Sequence, residues 1–553
     1  MVIDNQFSGF SAGQTAMIRW MLALILLEIP IVLFCLSGCS TTETQAALAD
    51  GNCSLPATLV RNASRWNGWG VDAANTRFQD ARTAGLTRET VSKLKLKWAF
   101  GFAGATEAST QPTVFGGRVF VGIRDGTVYS LDARTGCVYW VYKAAVAVRT
   151  PIVIDDSGLI AYFGDMQANM YAVTTNTGEL KWKTRVGDHP YASIVGAAKL
   201  ASNRLIVPVS GGNEEAAAAF LDYVCCKFRG SVVALDAETG QQVWRTYTIA
   251  DAAKLTGRTA AETEVWGPSG AGVWSSPTLD FERRAIYVST GVNYSDPPTP
   301  TSDAVLALDM DSGRLLWAAQ FTSKDRFNFA CFAARPLNQD NCPPAPGPNS
   351  GIGMSPILRK LAGSRILIVG DKSGVIHALD PDAQGKTVWQ TRISRGGVMG
   401  GILWGAASDD TGLAYFPISD WDAANPAAGG TVVALRIASG EKLWSTPAPK
   451  PTCVGAAGCS AAQAGPATAI PGAVFVGSFD GHLRAYANAD GAVIWDFDTL
   501  QEFHTVNGIN ARGGSLNRSG PTVAGGMVYA SSGYSQMPAI PGNVLLAFSV
   551  DGQ

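Results

Sequence analysis

One pattern of hydrophobic and polar residues recurs along the chain from about residue 95 to its end. Each copy has a strand of alternating apolar residues, a tight turn of Asp, Asn, Thr or Gly, and a second strand that ends at tryptophan. TVVALRIASGEKLW and SVVALDAETGQQVW are two such copies. Seven complete copies end at Trp140, Trp182, Trp244, Trp317, Trp389, Trp444 and Trp495.

An eighth copy is divided between the two ends of this region. LKLKWAF carries Trp98 near its start, and NVLLAFSVDG lies near the last residue. A β-propeller closes when its first and last strands pair within one blade, because that pairing removes the open edge of the ring. We therefore predict an all-β fold, an eight-bladed β-propeller over residues 94–553, closed by pairing of its N- and C-terminal strands. The tryptophans are expected to wedge between neighbouring blades.

The spacing of the tryptophans indicates insertions. It varies from 42 residues, between Trp98 and Trp140, to 73 residues, between Trp244 and Trp317. Insertions follow Pro208 and fill residues 248–266 and 327–350. Functional residues are expected there, because loops on a rigid scaffold carry most binding and catalytic groups.

The first 38 residues predict a lipoprotein signal peptide. A basic flank at Arg19 precedes a mostly apolar run, which ends in the box Leu-Ser-Gly before Cys39. The run is shorter than the roughly 20 residues of a spanning helix, and Glu28 and Pro30 interrupt it. We expect cleavage before Cys39, a lipid anchor on that cysteine, and a periplasmic location. The alternative is an uncleaved membrane anchor. Residues 39–93 are interpreted as a tether and lead-in.

An oxidising compartment changes how the remaining cysteines are interpreted. Cys331 with Cys342, and Cys453 with Cys459, would each close a short local loop. Connectivity among the other four stays open at this point. These are Cys53, Cys137 and the adjacent pair Cys225 and Cys226.

Composition excludes several other functions. Charged residues make up 16% of the chain and the formal net charge is −2, so no nucleic-acid partner is expected. The four histidines show no zinc-ligand spacing with cysteine, and no covalent haem motif occurs.

Longer motifs carry a resemblance to a known family. The turn pattern A-L-D-x-x-T-G-x-x-x-W resembles the blades of pyrroloquinoline quinone (PQQ) dependent quinoprotein alcohol dehydrogenases. RWNGWGVDAANTRFQ, WGPSGAGVWSSPTLD, YVSTGVNYSDPPTPTSDAV, GDKSGVIHALDPD and GPTVAGGMVYASSGYSQ together look like the polyvinyl alcohol dehydrogenase branch of that family. The resemblance extends over nearly the whole chain from Trp66 onward.

The resemblance implies a cofactor, a metal and a set of site residues. PQQ would stack on a tryptophan and on a ring formed by two disulfide-bonded adjacent cysteines, and cationic side chains would neutralise its carboxylates. A calcium ion would take carboxylate and amide oxygens as ligands. The implied cofactor-binding residues are Cys225, Cys226, Arg229, Trp274 and Lys372, and the implied calcium ligands are Glu214, Glu215 and Asn293.

The catalytic base departs from the family pattern. FTSKDRFNFA aligns with a segment whose later aspartate removes the alcohol proton, and that position is Asn328 here. An amide has no titratable carboxylate and is no base. Either Asp325 or one of Glu214 and Glu215 takes this role, or the enzyme is weakened or inactive.

Two functions are compatible with these features. The first is PQQ-dependent oxidation of secondary alcohols, such as polyvinyl alcohol-like polymers, to ketones, with electrons passed to a separate cytochrome c. The alternative is a non-catalytic propeller lipoprotein that acts as a scaffold in outer-membrane protein assembly.

Overall fold

The computed structural model describes a defined part of the chain. The described residues are 52–53, 59–60, 62–220, 222–332, 339–361, 363–422, 424–536 and 539–552. The predicted signal peptide, residues 1–38, and the predicted lipid anchor at Cys39 lie outside them. No helix within these ranges has the length and apolar character needed to cross a membrane.

Two short helices and one strand precede the first complete blade. Asp80 caps the first helix, because its carboxylate accepts hydrogen bonds from the N–H groups of Arg82 and Thr83. The elements are α1 (Ala81–Ala84), α2 (Arg88–Val91) and β1 (Lys95–Gly101).

Eight four-stranded antiparallel sheets follow one another around a ring. The first three blades contain, in order, β2 (Thr113–Phe115), β3 (Arg118–Gly122), β4 (Thr127–Asp132) and β5 (Val138–Lys143); β6 (Val153–Ile154), β7 (Ile160–Gly164), β8 (Asn169–Thr174) and β9 (Leu180–Arg185); and β10 (Lys199–Ala201), β11 (Arg204–Val209), β12 (Ser231–Asp236) and β13 (Gln242–Tyr247). Helix α3 (Gly212–Ala217) lies between β11 and β12.

The fourth blade is flanked and interrupted by short extra strands. These are β14 (Lys254–Arg258), β15 (Glu264–Gly267), β16 (Ser269–Gly270) and β19 (Asn293–Ser295), and the blade itself is β17 (Thr278–Asp280), β18 (Ala285–Ser289), β20 (Ala304–Asp309) and β21 (Leu315–Gln320). A 3-10 helix, Phe329–Cys331, lies in the connection to the next blade.

The remaining blades complete the ring. The fifth to seventh blades are β22 (Ile357–Leu361), β23 (Ser364–Gly370), β24 (Val375–Asp380) and β25 (Lys386–Arg392), with a 3-10 helix at Pro381–Ala383; β26 (Ala407–Ser408), β27 (Leu413–Ile418), β28 (Thr431–Arg436) and β29 (Lys442–Pro447); and β30 (Thr468–Ile470), β31 (Ala473–Gly477), β32 (His482–Ala487) and β33 (Val493–Asp498). After the hairpin β34 (Glu502–Phe503) and β35 (Ala511–Arg512) come β36 (Thr522–Ala524), β37 (Met527–Ser532) and β38 (Val544–Ser549).

The ring closes in the eighth blade, as the divided sequence repeat predicts. Its strand order is β36, β37, β38 and β1, so the outermost strand comes from the other end of the chain. The register pairs Lys95 with Ser549 and Gly101 with Val544. The predicted all-β, eight-bladed β-propeller is confirmed.

The repeated T-G…W spacing has a physical explanation in the contact between neighbouring blades. The indole Nε1 of Trp389 donates to the carbonyl of Ile437 in the next blade at 2.9 Å. Gly440, in the turn of that blade, has φ +73°, and a Cβ there would lie 2.5 Å from the indole. Glycine is therefore needed for two reasons: the turn has a positive φ, and the indole leaves no room for a Cβ. The same pairing joins Gly136 with Trp98, Gly178 with Trp140, Gly240 with Trp182, Gly313 with Trp244, Gly385 with Trp317 and Gly491 with Trp444.

A segment before the first helix, Trp66–Gln79, holds all eight blades together; we call it the hub segment. It lies along the central channel and forms hydrogen bonds with the innermost strand of every blade. The contacts, in blade order, are Trp66 with Val114, Asn67 with Ile154, Asp72 with Lys199, Ala73 with Leu279, Ala74 with Leu358, Thr76 with Ser408, Gln79 with Ala469, and the Gln79 side chain with Val523.

Arg77 is the main polar side chain of the hub segment. It is buried, and its guanidinium donates to the carbonyls of Ala467 and Trp69 and to the side chain of Gln111. Its carbon Cζ lies 4.7 Å from the ring centre of Trp69. Burial lowers the pKa of Arg77 to about 9.

Strand order also decides where the insertions lie. In an antiparallel sheet successive connections alternate between the two ends, so second-to-third strand turns and blade-to-blade connections share one end. The insertions before β12, between β13 and β17, between β18 and β20, and between β21 and β22 are all of these two kinds. We call this end the loop face. The glycine turns that meet the tryptophans lie at the other end.

Candidate active site

The two adjacent glutamates of α3 have different surroundings. Glu214 is fully buried, and its carboxylate accepts hydrogen bonds from Tyr223 Oη and from the N–H groups of Lys227 and Phe228, each at 2.8 Å. His189 Nε2 lies 3.4 Å from the same carboxylate. Glu214 therefore fixes the loop that carries the adjacent cysteines.

Glu215 faces the channel instead and is only partly buried. Desolvation raises the pKa of its carboxyl to about 7, and the negative charge of Asp325 acts in the same direction while Lys372 opposes both. A carboxyl that titrates near neutral pH is suited to accept a proton in catalysis.

Lys372 lies in the turn between β23 and β24. Its Nζ donates to Asn349 Oδ1 at 2.9 Å and lies 5.7 Å from the ring centre of Trp274. Desolvation lowers the pKa of Lys372, and the charges of Glu215, Asp303 and Asp325 partly offset that effect. We call Glu215, Asp303, Asp325 and Lys372 the acid–lysine cluster.

Asp325 and Asp303 form the inner part of this cluster. The Asp325 carboxylate accepts hydrogen bonds from the N–H groups of Asn349, at 3.1 Å, and Ser350, at 2.6 Å. Asp303 is buried, has φ +50°, and neither of its carboxylate oxygens has a hydrogen-bond partner within the described ranges. Burial and the neighbouring Asp325 raise the pKa of Asp303 well above its ordinary value, which favours the protonated form.

Glycines make room for the Trp274 indole. A Cβ at Gly353 would lie 2.0 Å from the indole, and a Cβ at Gly291 would lie 3.3 Å from its Nε1. Trp404 contacts the same indole edge-on, with ring centres 5.1 Å apart. The indole is thus held rigidly beside Lys372.

The adjacent cysteines are joined to each other, as the family resemblance implies. Both are buried in a hydrophobic cluster that also contains Val292, Tyr294 and Phe327. The other disulfides join Cys331 to Cys342 and Cys453 to Cys459, as predicted, and Cys53 to Cys137.

Two predicted site residues, Asn328 and Asn293, lie in the walls of this region. Asn328 Nδ2 donates to the carbonyls of Tyr294 and Asn341, and its Oδ1 accepts from the N–H of Ala330. Asn293 Oδ1 accepts from the N–H of Thr299 at 2.8 Å.

Arg229 makes its polar contacts outside the acid–lysine cluster. Its guanidinium stacks on Tyr247, with Cζ 3.8 Å from the ring centre, and donates to the carbonyls of Ile249 and Ala250. The structure therefore brings together Trp274, Lys372, Glu215 and Asp325 and uses Glu214, Asn293, Asn328 and Arg229 in hydrogen bonds of the surrounding walls.

A small cavity of about 20 Å³ lies between Trp274 and Trp69 of the hub segment. Its lining includes the indoles of Trp69 and Trp404 and the guanidinium groups of Arg149 and Arg518. Arg149 Nε and Arg518 Nε are buried without a hydrogen-bond partner among the residues that the structure describes. We call it the axial cavity.

The donors around Trp274 fit a flat, anionic cofactor. Trp274 offers a rigid aromatic face, and Lys372, Arg149 and Arg518 supply positive charge close to it. The unpartnered guanidinium nitrogens indicate that acceptor groups of a ligand would satisfy them. Asp303, Arg149 and Arg518 were missed by the sequence analysis, because no local motif separates them from surface charges.

Glu214 and Asn293, two of the three residues implied as calcium ligands, are engaged in hydrogen bonds within the chain. Within the described part of the chain, no three His, Cys, Asp or Glu side chains are grouped closely enough to hold a metal ion. Glu214 and Asn293 direct their oxygens at main-chain N–H groups, as described above.

Comparisons with known proteins show which families this chain is similar to. One family profile, described as outer membrane protein assembly factor BamB, matches residues 80–252, 301–451 and 428–553. A second profile, described as the β-propeller domain of glucose/ethanol/alcohol dehydrogenase, matches residues 216–337. The second match covers the adjacent cysteines, Trp274, Asp303 and Asp325.

Curated relatives extend over most of the chain. A polyvinylalcohol dehydrogenase from Pseudomonas sp. is 39% identical over 516 residues, which are 90% of this chain and 79% of the relative. A polyvinylalcohol dehydrogenase from Sphingopyxis sp. (strain 113P3) is 40% identical over 511 residues, which are 89% and 77%. Among solved structures, the quinohemoprotein alcohol dehydrogenase ADHIIG from Pseudomonas putida HK5 shares the fold, with a TM-score of 0.67 at 17% identity over 89% of this chain and 81% of that one.

Proposed function

Because the chain belongs to the polyvinyl alcohol dehydrogenases, within the PQQ-dependent quinoprotein alcohol dehydrogenase family, we propose that it oxidises secondary hydroxyl groups of polyvinyl alcohol-like polymers to ketones. The observation that carries this proposal is the convergence of Glu215, Asp325 and Lys372 beside Trp274. PQQ, when bound, supplies a quinone that accepts the hydride of the carbinol carbon.

The chain's own residues would bind and orient the reactants. Trp274 supports a flat ring, and Lys372, Arg149 and Arg518 neutralise carboxylates. The buried disulfide cluster of Cys225 and Cys226 excludes water from one side. Arg229, another cofactor-binding residue implied by the family resemblance, stabilises the part of this wall that precedes β12.

Glu215 is the best-placed acceptor for the hydroxyl proton. Asp325 is fully buried and both of its oxygens already accept main-chain hydrogen bonds, and Glu214 is similarly occupied. Asn328 has no basic group. Glu215 is partly exposed, and a pKa of about 7 lets its carboxylate accept the proton and become neutral; before the transfer, the positive charge of Lys372 favours the ionised form.

Other features of the proposal rest on sequence. A periplasmic location with a lipid anchor at Cys39 is supported by the Leu-Ser-Gly-Cys box and by four disulfides, which persist in oxidising compartments. As the family resemblance implies, electrons would pass to a separate cytochrome c. Calcium stays a proposal from family resemblance alone, since Glu214 and Asn293 are engaged in other contacts.

The scaffold alternative has weaker support. The BamB-type profile matches most of the propeller, including segments that carry Glu215, Asp325 and Lys372, whereas the relatives that are 39% and 40% identical over about 90% of the chain are polyvinylalcohol dehydrogenases. A non-catalytic scaffold would not need the acid–lysine cluster.

Cofactor titration tests the proposal. Purified protein is titrated with PQQ in separate arms, alone, with added calcium and with added EDTA. Tryptophan fluorescence reports binding, and dye reduction with a secondary alcohol reports activity. We expect micromolar or tighter binding and alcohol-dependent reduction, with binding at least about tenfold weaker in Lys372→Gln. Gln320→Ala, which changes an amide bonded to Thr299 and Ser302, is the control. No binding of PQQ in any arm would overturn the proposal.

A further inference from the structure

A second cleft opens on the loop face and is separate from the axial cavity. It has a volume of about 560 Å³ and lies between the end of β21, the turn after β23 and the glycine-rich connection after β25. Its lining includes Phe321, Ser350, Asp371, His377, Gln390 and Arg392.

The inner end of this cleft adjoins the acid–lysine cluster. Ser350 lines the cleft, and its main-chain N–H is the donor to Asp325 Oδ2 at 2.6 Å. Asp371 and Ser373, which also line it, are the chain neighbours of Lys372. The outer end is formed by the exposed side chains of Gln390 and Arg392. The cleft therefore extends from solvent to the segments that carry Lys372 and the Ser350 donor to Asp325.

Most charges in the cleft are already compensated. The Asp371 carboxylate accepts from Ser373 Oγ at 2.7 Å and contacts His377 Nε2 at 3.0 Å. Arg395, at the rim, lies 3.7 Å from Asp422 Oδ2. Arg392 donates to the carbonyl of Ser373. A neutral ligand with hydroxyl groups suits this lining better than a polyanion, which would meet Asp371, or a polycation, which would meet Arg392.

The aromatic groups of the cleft also restrict the ligand. Phe321 and His377 stack on each other, with ring centres 3.7 Å apart and planes 3° apart, and His377 is 4% exposed. One face of each ring is therefore covered by the other. His377 Nδ1 is buried without a hydrogen-bond partner among the described residues. This lining offers little open aromatic face for a sugar ring, and it favours a flexible aliphatic chain that bears hydroxyls.

We propose that this cleft binds the chain of a neutral polymer with secondary hydroxyl groups and guides it to the acid–lysine cluster. The inference rests on the proposed function for the identity of the polymer, which is of the polyvinyl alcohol type. Bound segments outside the reacting carbinol lie between Phe321 and Arg392, and Gln390 and Arg392 hydrogen-bond their hydroxyls. A short alcohol needs only the inner end.

Substitution at the outer end separates polymer binding from chemistry. Gln390→Trp places a bulky ring in the cleft at an exposed position of β25, far along the chain from Lys372. The matched control is Ser445→Trp, because Ser445 also follows the strand tryptophan and is exposed in the next blade. Arg392→Ser provides a second cleft variant that removes a donor without adding bulk.

Two measurements are made on each variant. Fluorescein-labelled polyvinyl alcohol is titrated with protein by fluorescence anisotropy, and kcat/KM is measured for the polymer and for 4-heptanol. We expect Gln390→Trp to lose about tenfold or more in polymer affinity and polymer kcat/KM, with less than about a twofold change for 4-heptanol. Ser445→Trp should match the unmodified protein on both substrates.

The outcomes distinguish this inference from the proposed function. Equal polymer affinity in the unmodified protein and both cleft variants, no polymer binding at all, or equal losses for polymer and 4-heptanol would overturn the cleft assignment. If neither alcohol is oxidised, the proposed activity fails, and the anisotropy titration still decides whether the cleft binds the polymer.

Discussion

Two adjacent glutamates on α3 carry the same charge in opposite surroundings. Glu214 accepts three hydrogen bonds and fixes a loop, whereas Glu215 faces Lys372 and Asp325. Sequence reasoning assigned both to one metal site, because neighbours in a chain share a local motif. The short helix projects the two side chains in different directions, so Glu214 has a structural role and Glu215 a chemical one.

Replacing Glu215 is expected to affect the reaction and its pH dependence. Its raised pKa means that the carboxyl is protonated below about pH 7 and becomes a base above it, so kcat/KM should rise with pH through about 7. Glu215→Gln should lower kcat/KM about 100-fold or more and remove this rise. The measurement is a pH profile of dye-coupled alcohol oxidation.

Glu214→Gln is the matched variant one residue earlier. It should lower the free energy of unfolding by about 2 kcal/mol, because charge-assisted hydrogen bonds to buried N–H groups are weakened. Glu215→Gln should leave the thermal midpoint unchanged or slightly higher, since a partly buried carboxyl is removed. A reversed result, with stability lost only in Glu215→Gln, would contradict both assignments.

At the scale of elements, the blade hairpins could be predicted because each has its own signal. The turn glycine and the strand tryptophan occur at fixed spacing, and the structure joins seven of the eight tryptophans, all except Trp495, to the turn glycine of the following blade. The hub segment has no such period. Its sequence, WNGWGVDAANTRFQ, makes isolated hydrogen bonds with eight different strands, so neither strand nor helix periodicity identifies its role.

The contact between Trp389 and Gly440 allows a matched test of this explanation. Gly440→Ala combines a left-handed backbone with a Cβ 2.5 Å from the indole, whereas Gly412 has φ +86° and open space around a Cβ. Gly412→Ala should cost about 1–2 kcal/mol through the backbone alone. Gly440→Ala should cost roughly 2 kcal/mol more through overpacking. Urea denaturation followed by circular dichroism gives the difference; equal costs would refute the wedge explanation.

At the scale of the whole molecule, two devices keep the ring closed. Pairing of β1 with β38 joins the ends of the chain, and the hub segment ties the inner strands together. The architecture was predictable from the divided repeat, whereas the axial cavity was not. Arg149 and Arg518 are distant in sequence, and only ring closure brings them to the channel.

Arg77 tests whether the hub segment acts on all blades at once. Arg77→Leu leaves the buried acceptors of Ala467, Trp69 and Gln111 without their donor and should cost about 3 kcal/mol or more. Because every blade contacts the hub, calorimetry should show one transition at a lower temperature. Arg82→Leu, at an exposed position in α1, should leave it unchanged. Two separate transitions in Arg77→Leu would show that the blades are held together by other means.

The separation of the loop face from the glycine–tryptophan turns has a consequence for how such an enzyme can diversify. The cofactor contacts, the proton acceptor and the inner end of the cleft belong to connections at one end of the strands, while the glycine–tryptophan joints between blades lie at the other. A combinatorial library confined to residues 248–266, 322–332 and 394–401 would therefore vary substrate choice without disturbing the joints that keep the ring folded. The same partition lets natural lineages exchange specificities by replacing loops, with the ring inherited intact.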